Sequence, residues 1–387
     1  MSLGSLSFLL FSAWIVLIRL NLKNPPNRQK TSCTDPTRCY SDIQIRAYAR
    51  TIGEPSSRGY SLSSRISRVD AYLAPSIGCK DERVSDPFAE VNRAMENRRY
   101  DYAPIIRRPR IEWPDHGRIA LWVAPNIEYF HFNMPIRGSG SNHAPDVPGY
   151  TLRDYGARVG VFRIMDVLDK YNIRASVLLN AEVCEQHPPI IEEGNKRHWE
   201  WLGHGMTNSI SMIDYPPEEE RSIIHKVKEI ITSATGKTPK GWLGPGLGET
   251  FDTPDHLAAE GFEYVCDWGN DEQPTPMRVK SGRMVVVPYE LGVNDIRVFI
   301  RENHTPEQYY RLVCDHFDTL YKDSESGGRV LCLPLHPFVI GMPFRIKYLD
   351  KALDYMCSHE GVWRTTRWEI ADWYYKHYYK DPGRFQG

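Results

Sequence analysis

From Arg118 onward, short apolar runs alternate with amphipathic stretches, and this alternation restricts the fold more than any other feature of the chain. RIALWV (Arg118–Val123), ASVLL (Ala175–Leu179), WEWLG (Trp199–Gly203), GWL (Gly241–Leu243), EYVCD (Glu263–Asp267), MVVVP (Met284–Pro288), RVLCLPL (Arg329–Leu335) and GVWRT (Gly361–Thr365) read as strands. Val161, Met165 and Leu168 mark one helix face, and PIIEEGNKR (Pro189–Arg197) is a second helix. A third opens at Pro216–Pro217, carries Glu218 to Glu220 in its first turn, ends before Gly236 and buries Ile223, Val227, Ile230 and Ile231. Thr253 reads as the N-cap of a fourth, ahead of Pro254, and helices over Pro306–Tyr321, Tyr348–His359 and Trp368–Tyr378 fill the remaining gaps. Strand-helix units repeated in this way predict an α/β fold, a closed or nearly closed (β/α) barrel. No G-x-G-x-x-G follows the first strand, so a dinucleotide fold is the weaker alternative.

The segments before Arg118 behave differently. LSFLLFSAWIVLI (Leu6–Ile18) is apolar apart from two serines, and an 18-residue helix spans about 27 Å, near the lower limit for a bilayer crossing. Three readings of residues 1–20 stand level: a membrane anchor, an atypical export signal, and a start segment outside any fold. Arg19, Lys23, Arg28 and Lys30 suit a cytoplasmic flank, which would place the rest of the chain on the cytoplasmic side. Residues 21–97 are rich in Ser, Arg, Asn and Pro and read as a linker or poorly structured extension, with Tyr100–Pro114 an extended arm on a domain surface. Residues 98–378 are then the barrel and 379–387 a tail. Forty-eight basic against 49 acidic side chains leave no electrostatic case for a nucleic-acid partner. The eight cysteines include no Cys-x-x-Cys pair, and most of them read as small buried hydrophobes in a reducing compartment.

In a parallel barrel the polar residues just past each strand are the candidates for chemistry. Those positions hold Asn126 and Glu128, Asn180 and Glu182, His204, Pro245 and Glu249, Asp267, Asn270 and Asp271, and finally His336. Taken singly, each is ordinary, and a lone histidine after a strand is more often structural than catalytic. Their recurrence at one rim predicts a site, because buried polar groups need partners or a task.

The ordered segments VAPNIEYFHF (Val123–Phe132), WLGHGMTN (Trp201–Asn208), GWLGPG (Gly241–Gly246), CDWGNDEQP (Cys266–Pro274) and CLPLHPF (Cys332–Phe338) resemble the motifs of the polysaccharide deacetylase (NodB homology) superfamily, in its allantoinase-like branch. The resemblance implies a deformed (β/α) barrel and a hydrolase of non-peptide C–N bonds that removes N-acetyl groups from a carbohydrate or opens a small cyclic amide. A barrel that binds a carbohydrate or small molecule without catalysis is the alternative. By position, Asn126 stands where the family has its general base, Glu128 and His204 match metal ligands, Asn208 replaces the second metal histidine, and His336 matches the late acid histidine. The family's base-orienting arginine has no counterpart in GWLGPG. The expected cofactor is therefore none, or a divalent metal such as zinc held by Glu128 and His204 with Asn208 beside them.

The mechanism implied has Glu128 activate water with a pKa raised by an apolar pocket, His336 protonate the leaving nitrogen, and His204 hold a metal or polarise the carbonyl. Asn126, Asn180, Asp267, Asn270, Asp271 and Trp268 are the expected substrate contacts. The implied partners are a small-molecule or oligosaccharide amide, a membrane through residues 6–18, and a second copy of the chain.

Overall fold

The computed structural model describes residues 97–386. The apolar run 6–18 and all but the last residue of the stretch 21–97 lie outside those residues. Among the described residues no helix is long and apolar enough to cross a membrane.

A single sheet forms the centre. Its strands are β1 (Ile119–Ile127), β2 (Ser176–Leu179), β3 (Glu200–Gly203), β4 (Gly241–Trp242), β5 (Tyr264–Val265), β6 (Thr275–Met277), β7 (Met284–Val286), β8 (Arg329–Leu335) and β9 (Val362–Arg364). They run in the order β6-β7-β5-β4-β3-β2-β1-β8, and every pairing is parallel except the β6·β7 pair. β8 runs in register along β1 from Ile119↔Arg329 to Pro125↔Leu335. The other edge of β1 is shared, by β9 at its start and by β2 at its end.

The sheet curls without closing. At the seam between the β6–β7 end of the sheet and β8, the Val330 N–H donates to the carbonyl of Glu272, just before β6, at 2.9 Å, and the carboxylate of Glu290, beyond β7, accepts from the Cys332 N–H at 2.8 Å. Burial pushes Glu290 up to about 8, so the acid filling this gap is largely neutral at neutral pH. A deformed, open (β/α) barrel is thus the fold, and β6 is the strand that the sequence pattern did not announce.

Alternation along each strand divides the core in two. Ile119, Leu121 and Val123 face the surrounding helices, whereas Ala120, Trp122 and Ala124 face the interior together with Leu178, Leu202, Tyr264, Cys266, Val330 and Cys332. Outside lie α1 (Val147–Tyr155), which passes through the π-helical turn Gly156–Gly160 into α2 (Val161–Lys170), then α3 (Ala181–Gln186), α4 (Pro188–Lys196), α5 (Pro217–Thr235), α6 (Thr253–Ala259), α7 (Pro306–Asp323) and α8 (Ile346–Cys357), whereas α9 (Arg367–His377) packs Ile370, Ala371 and Tyr374 against the interior cluster. α5 starts and stops where its proline and glycine require, with Gly236 left-handed at φ 72°. It buries Ile224, Val227 and Ile231, and leaves Ile223 and Ile230 half-buried. α6 begins one residue earlier than expected, at Thr253, with Asp252 as its cap. The arm before β1 is tied down at both ends: Arg99 pairs with Asp255 at 2.9 Å, and buried Trp113 donates to the Arg329 carbonyl.

Gly160 lets the α1–α2 helix press on the loop that follows β8. A Cβ there would lie 2.1 Å from the Pro337 carbonyl oxygen, against backbone that has no room to move. Gly160→Ala is expected to destabilise the fold by about 1–3 kcal/mol, read as a lowered melting midpoint; an unchanged midpoint would show that this contact relaxes freely.

Candidate active site

The interior-facing register of β1 continues past its end. Ala120, Trp122 and Ala124 are followed on the same face by Asn126 and Glu128, Leu202 is followed by His204, and Val330 and Cys332 are followed by His336. Three separate strands thereby deliver Glu128, His204 and His336 to the C-terminal mouth of the barrel. Glu128 Oε1 lies 3.6 Å from His204 Nε2 and 3.8 Å from His336 Nε2. They line a cavity of about 310 Å³ with Asn126, Asn208, Tyr289, Arg153, Phe130 and Phe338.

Each ring is held by its far nitrogen. His204 Nδ1 donates to the Leu243 carbonyl at 2.6 Å; since a carbonyl only accepts, the neutral ring carries its proton at Nδ1 and presents a lone pair at Nε2, where no hydrogen-bond partner is present. Of the two roles expected of His204, metal ligand or donor to an oxyanion, that tautomer suits the first. His336 Nδ1 donates to Asp295 Oδ1 at 2.7 Å, and the His336 backbone N–H donates to Asp295 Oδ2 at 2.7 Å. Asp295 is fully buried in the segment after β7 and was not among the expected residues.

Charge sets the protonation of the pair. Burial alone would raise the Glu128 pKa, but the approach of the His204 ring and the positive charges of His336 and Arg153 outweigh it, holding the carboxyl below the usual range. The expected upward shift is therefore reversed. Burial alone would lower the His336 pKa, yet the Asp295 charge and hydrogen bond and the Glu128 charge raise it above its ordinary value. An ionised carboxylate thus faces a ring that tends to keep its proton.

The asparagines have distinct tasks. Asn126 Nδ2 is within reach of the Ala124 and Leu335 carbonyls, each at 3.2 Å, and of the Tyr289 hydroxyl at 3.1 Å. An aspartate could not donate to those oxygens, which explains an amide where the family pattern has its base. Asn180 lies beneath the floor, where it accepts from the Tyr129 N–H at 2.9 Å and donates to the His204 carbonyl and to Asn208 Oδ1. Asn208 Nδ2 in turn donates to Glu128 Oε1 at 2.5 Å.

The remaining expected contacts lie elsewhere. In β5 the interior residues are Tyr264 and Cys266, so Asp267 falls on the opposite parity; it accepts from the Gly244 N–H at 2.7 Å and does not line the cavity. Trp268 donates its indole N–H to Glu249. The following loop runs back along the seam, because the Glu272 carbonyl meets Val330 near the start of β8. Asn270 and Asp271 accordingly line a second cavity with Tyr100, Tyr102 and Tyr378, where Asp271 pairs with Arg108 at 2.5 Å.

A divalent metal finds two suitable donors, Glu128 and the free lone pair of His204, whose Nδ1–H bond to a carbonyl is the usual support for a metal-binding ring. The third position fails, since Asn208 turns its N–H₂ group towards Glu128, and among the described residues no group of three or more His, Cys, Asp or Glu is placed to hold a metal. This donor set does not fit a catalytic zinc with three protein ligands. Asn208→His is expected to raise zinc affinity by at least about 10²-fold, measured by calorimetric titration, because a direct ligand outweighs a supporting one. Equal zinc binding by the two proteins would show that Asn208 is not the missing ligand.

The chain is similar in sequence and in fold to several known proteins. A polysaccharide deacetylase family profile matches residues 150–265. The chain is 26% identical over 313 residues to a protein of Schizosaccharomyces pombe classed as a polysaccharide deacetylase, covering 72% of this chain and 96% of that one. It is 24% identical over 272 residues to the peptidoglycan deacetylase of Helicobacter pylori, covering 60% and 90%. Among solved structures, Puue allantoinase superimposes with a TM-score of 0.66 at 26% identity, over 72% of this chain and all of that one. In the order of its motifs, its open barrel and these matches, the chain is similar to polysaccharide deacetylases and to an allantoinase of the same fold.

Proposed function

We propose that this protein hydrolyses a non-peptide C–N bond, that of an N-acetyl group on a carbohydrate or of a small cyclic amide, in the cavity around Glu128. The observation that carries the reading is the approach of one carboxylate oxygen to two imidazoles at the mouth of the barrel. With His204 neutral, a water set against Glu128 Oε1 and His204 Nε2 meets two acceptors. Both its hydrogens are then engaged, and its oxygen is left free to attack a carbonyl carbon. Glu128 takes the proton as the C–O bond forms, and His336 Nε2–H delivers one to the leaving nitrogen as the C–N bond breaks. Support also comes from the relatives, whose names are those of deacetylases and an allantoinase.

The cavity volume is at the small end of ligand sites, which favours one sugar ring or one small heterocycle at the reacting centre. Asn126 would contact the substrate from the β1 side, and Asn180 would act from below by fixing Asn208. The test is release of acetate from N-acetylglucosamine oligomers, and ring opening of hydantoin, by wild type and by the Glu128→Gln/His336→Ala double variant. Turnover of at least one substrate that disappears in the double variant is expected. If wild type turns over neither faster than the double variant, the reading is wrong.

A further inference from the structure

The wall of the cavity carries more positive charge than an uncharged amide needs. It includes Arg137, Arg153, Arg297 and Arg301, whereas Glu128 is the only carboxylate among its lining residues. Two of these arginines are neutralised from outside, Arg137 by Asp214 and Arg297 by Glu302 at 2.7 Å. Arg153 and Arg301 have no carboxylate within 4.0 Å among the described residues.

Arg153 is the more telling of the two. It projects from α1, is buried, and lies with its guanidinium 4.6 Å from the Phe338 ring centre. Nη1 donates to the Gly149 carbonyl at 3.3 Å and Nη2 to the Arg137 carbonyl at 3.1 Å, while Nε is buried without an acceptor. Two carbonyls orient this fork, and the Glu128 and Asp146 charges act on it only from beyond ion-pair distance. A buried guanidinium without a directly paired carboxylate is costly, and a planar fork with a free donor matches a carboxylate. Arg301, exposed on the π-helical turn after β7, supplies a second cation at the rim of the same cavity.

We infer that the site takes an amide substrate bearing a carboxylate close to the scissile C–N group, with Arg153 and Arg301 as the receptors of that carboxylate. A permanent anion accounts for two cations on separate elements, one of them with an unused buried donor. The inference rests on the hydrolase reading and adds the charge of the substrate to it.

Matched probes test it: hydantoin-5-acetate against its neutral primary amide, each titrated calorimetrically into the full chain. The carboxylate is expected to bind at least about tenfold tighter, with a preference that shrinks as NaCl is raised. Arg153→Met and Arg301→Gln should each cut that preference, Arg301→Gln with affinity for the neutral amide unchanged. Because Arg301 is exposed, its variant keeps the test sound should Arg153→Met fail to fold. Equal binding of the two probes by wild type, binding of neither, or a preference that survives in both variants overturns the inference. Hydantoin turnover that vanishes in the Glu128→Gln/His336→Ala double variant would still uphold the hydrolase reading in any of those cases.

Discussion

Glu128→Gln is expected to lower kcat by roughly 10²–10⁴-fold while KM stays within about threefold, on whichever amide wild type turns over. Glutamine keeps the volume of the side chain, and its Oε1 can still accept from Asn208 Nδ2, so the floor of the cavity need not move. What disappears is the charge. A neutral amide cannot take a proton from water as the C–O bond forms, and it no longer sustains His336 electrostatically, since the Glu128 charge is one of the causes that raise the His336 pKa. The variant should therefore lose its base and, in its residual activity, show an alkaline limb displaced to lower pH. Steady-state kinetics across pH separate these effects from a binding defect, which would appear in KM. A kcat within a few-fold of wild type would remove Glu128 from the reaction and with it the proposed role of the pair.

Much of this geometry could be read from the chain before any fold was known, and parity explains which part. Once Trp122 and Ala124 are assigned to the interior, period-two alternation carries Asn126 and Glu128 to the same side. The rule also works for His204 after Leu202 and for His336 after Cys332. Applied to β5, it would have excluded Asp267, which follows interior Cys266 at the wrong parity. The missed residues have no comparable signal. Asp295 lies 41 positions before His336 in a segment without helical or strand period, and only folding brings its carboxylate to Nδ1. Arg153 is one arginine among many on an outer helix until Phe130 and Phe338 enclose it. The open seam was equally hidden, because closure depends on whether the two ends of the sheet, the β6–β7 pair and β8, meet, and here a loop carbonyl and the Glu290 side chain stand between them.

Asp295→Asn carries the second large effect, because a single carboxylate satisfies two donors of His336. The backbone N–H and the ring Nδ1–H use separate oxygens, each at 2.7 Å. Asparagine has one acceptor and one donor in their place. If its oxygen keeps the backbone N–H, its N–H₂ group faces Nδ1 and moves the ring proton to Nε2; if it flips, a buried N–H is left unpaired, at about 1–3 kcal/mol of stability. Both arrangements remove the negative charge that raises the His336 pKa, and the first removes the ring hydrogen bond as well, leaving burial, which lowers it, opposed mainly by Glu128. Activity needs Glu128 ionised and His336 protonated, so the rate rises as pH passes a carboxyl pKa held below the ordinary 4.5 and falls as pH passes an imidazole pKa held above the ordinary 6.5. In the variant the alkaline limb of kcat/KM should move down towards or below 6.5 while the acid limb stays in place, and kcat/KM at neutral pH should fall by roughly 10²–10⁴-fold. A simple packing defect would lower the whole profile without shifting it. An alkaline limb unmoved in Asp295→Asn would mean that the proton reaching the leaving nitrogen does not come from His336.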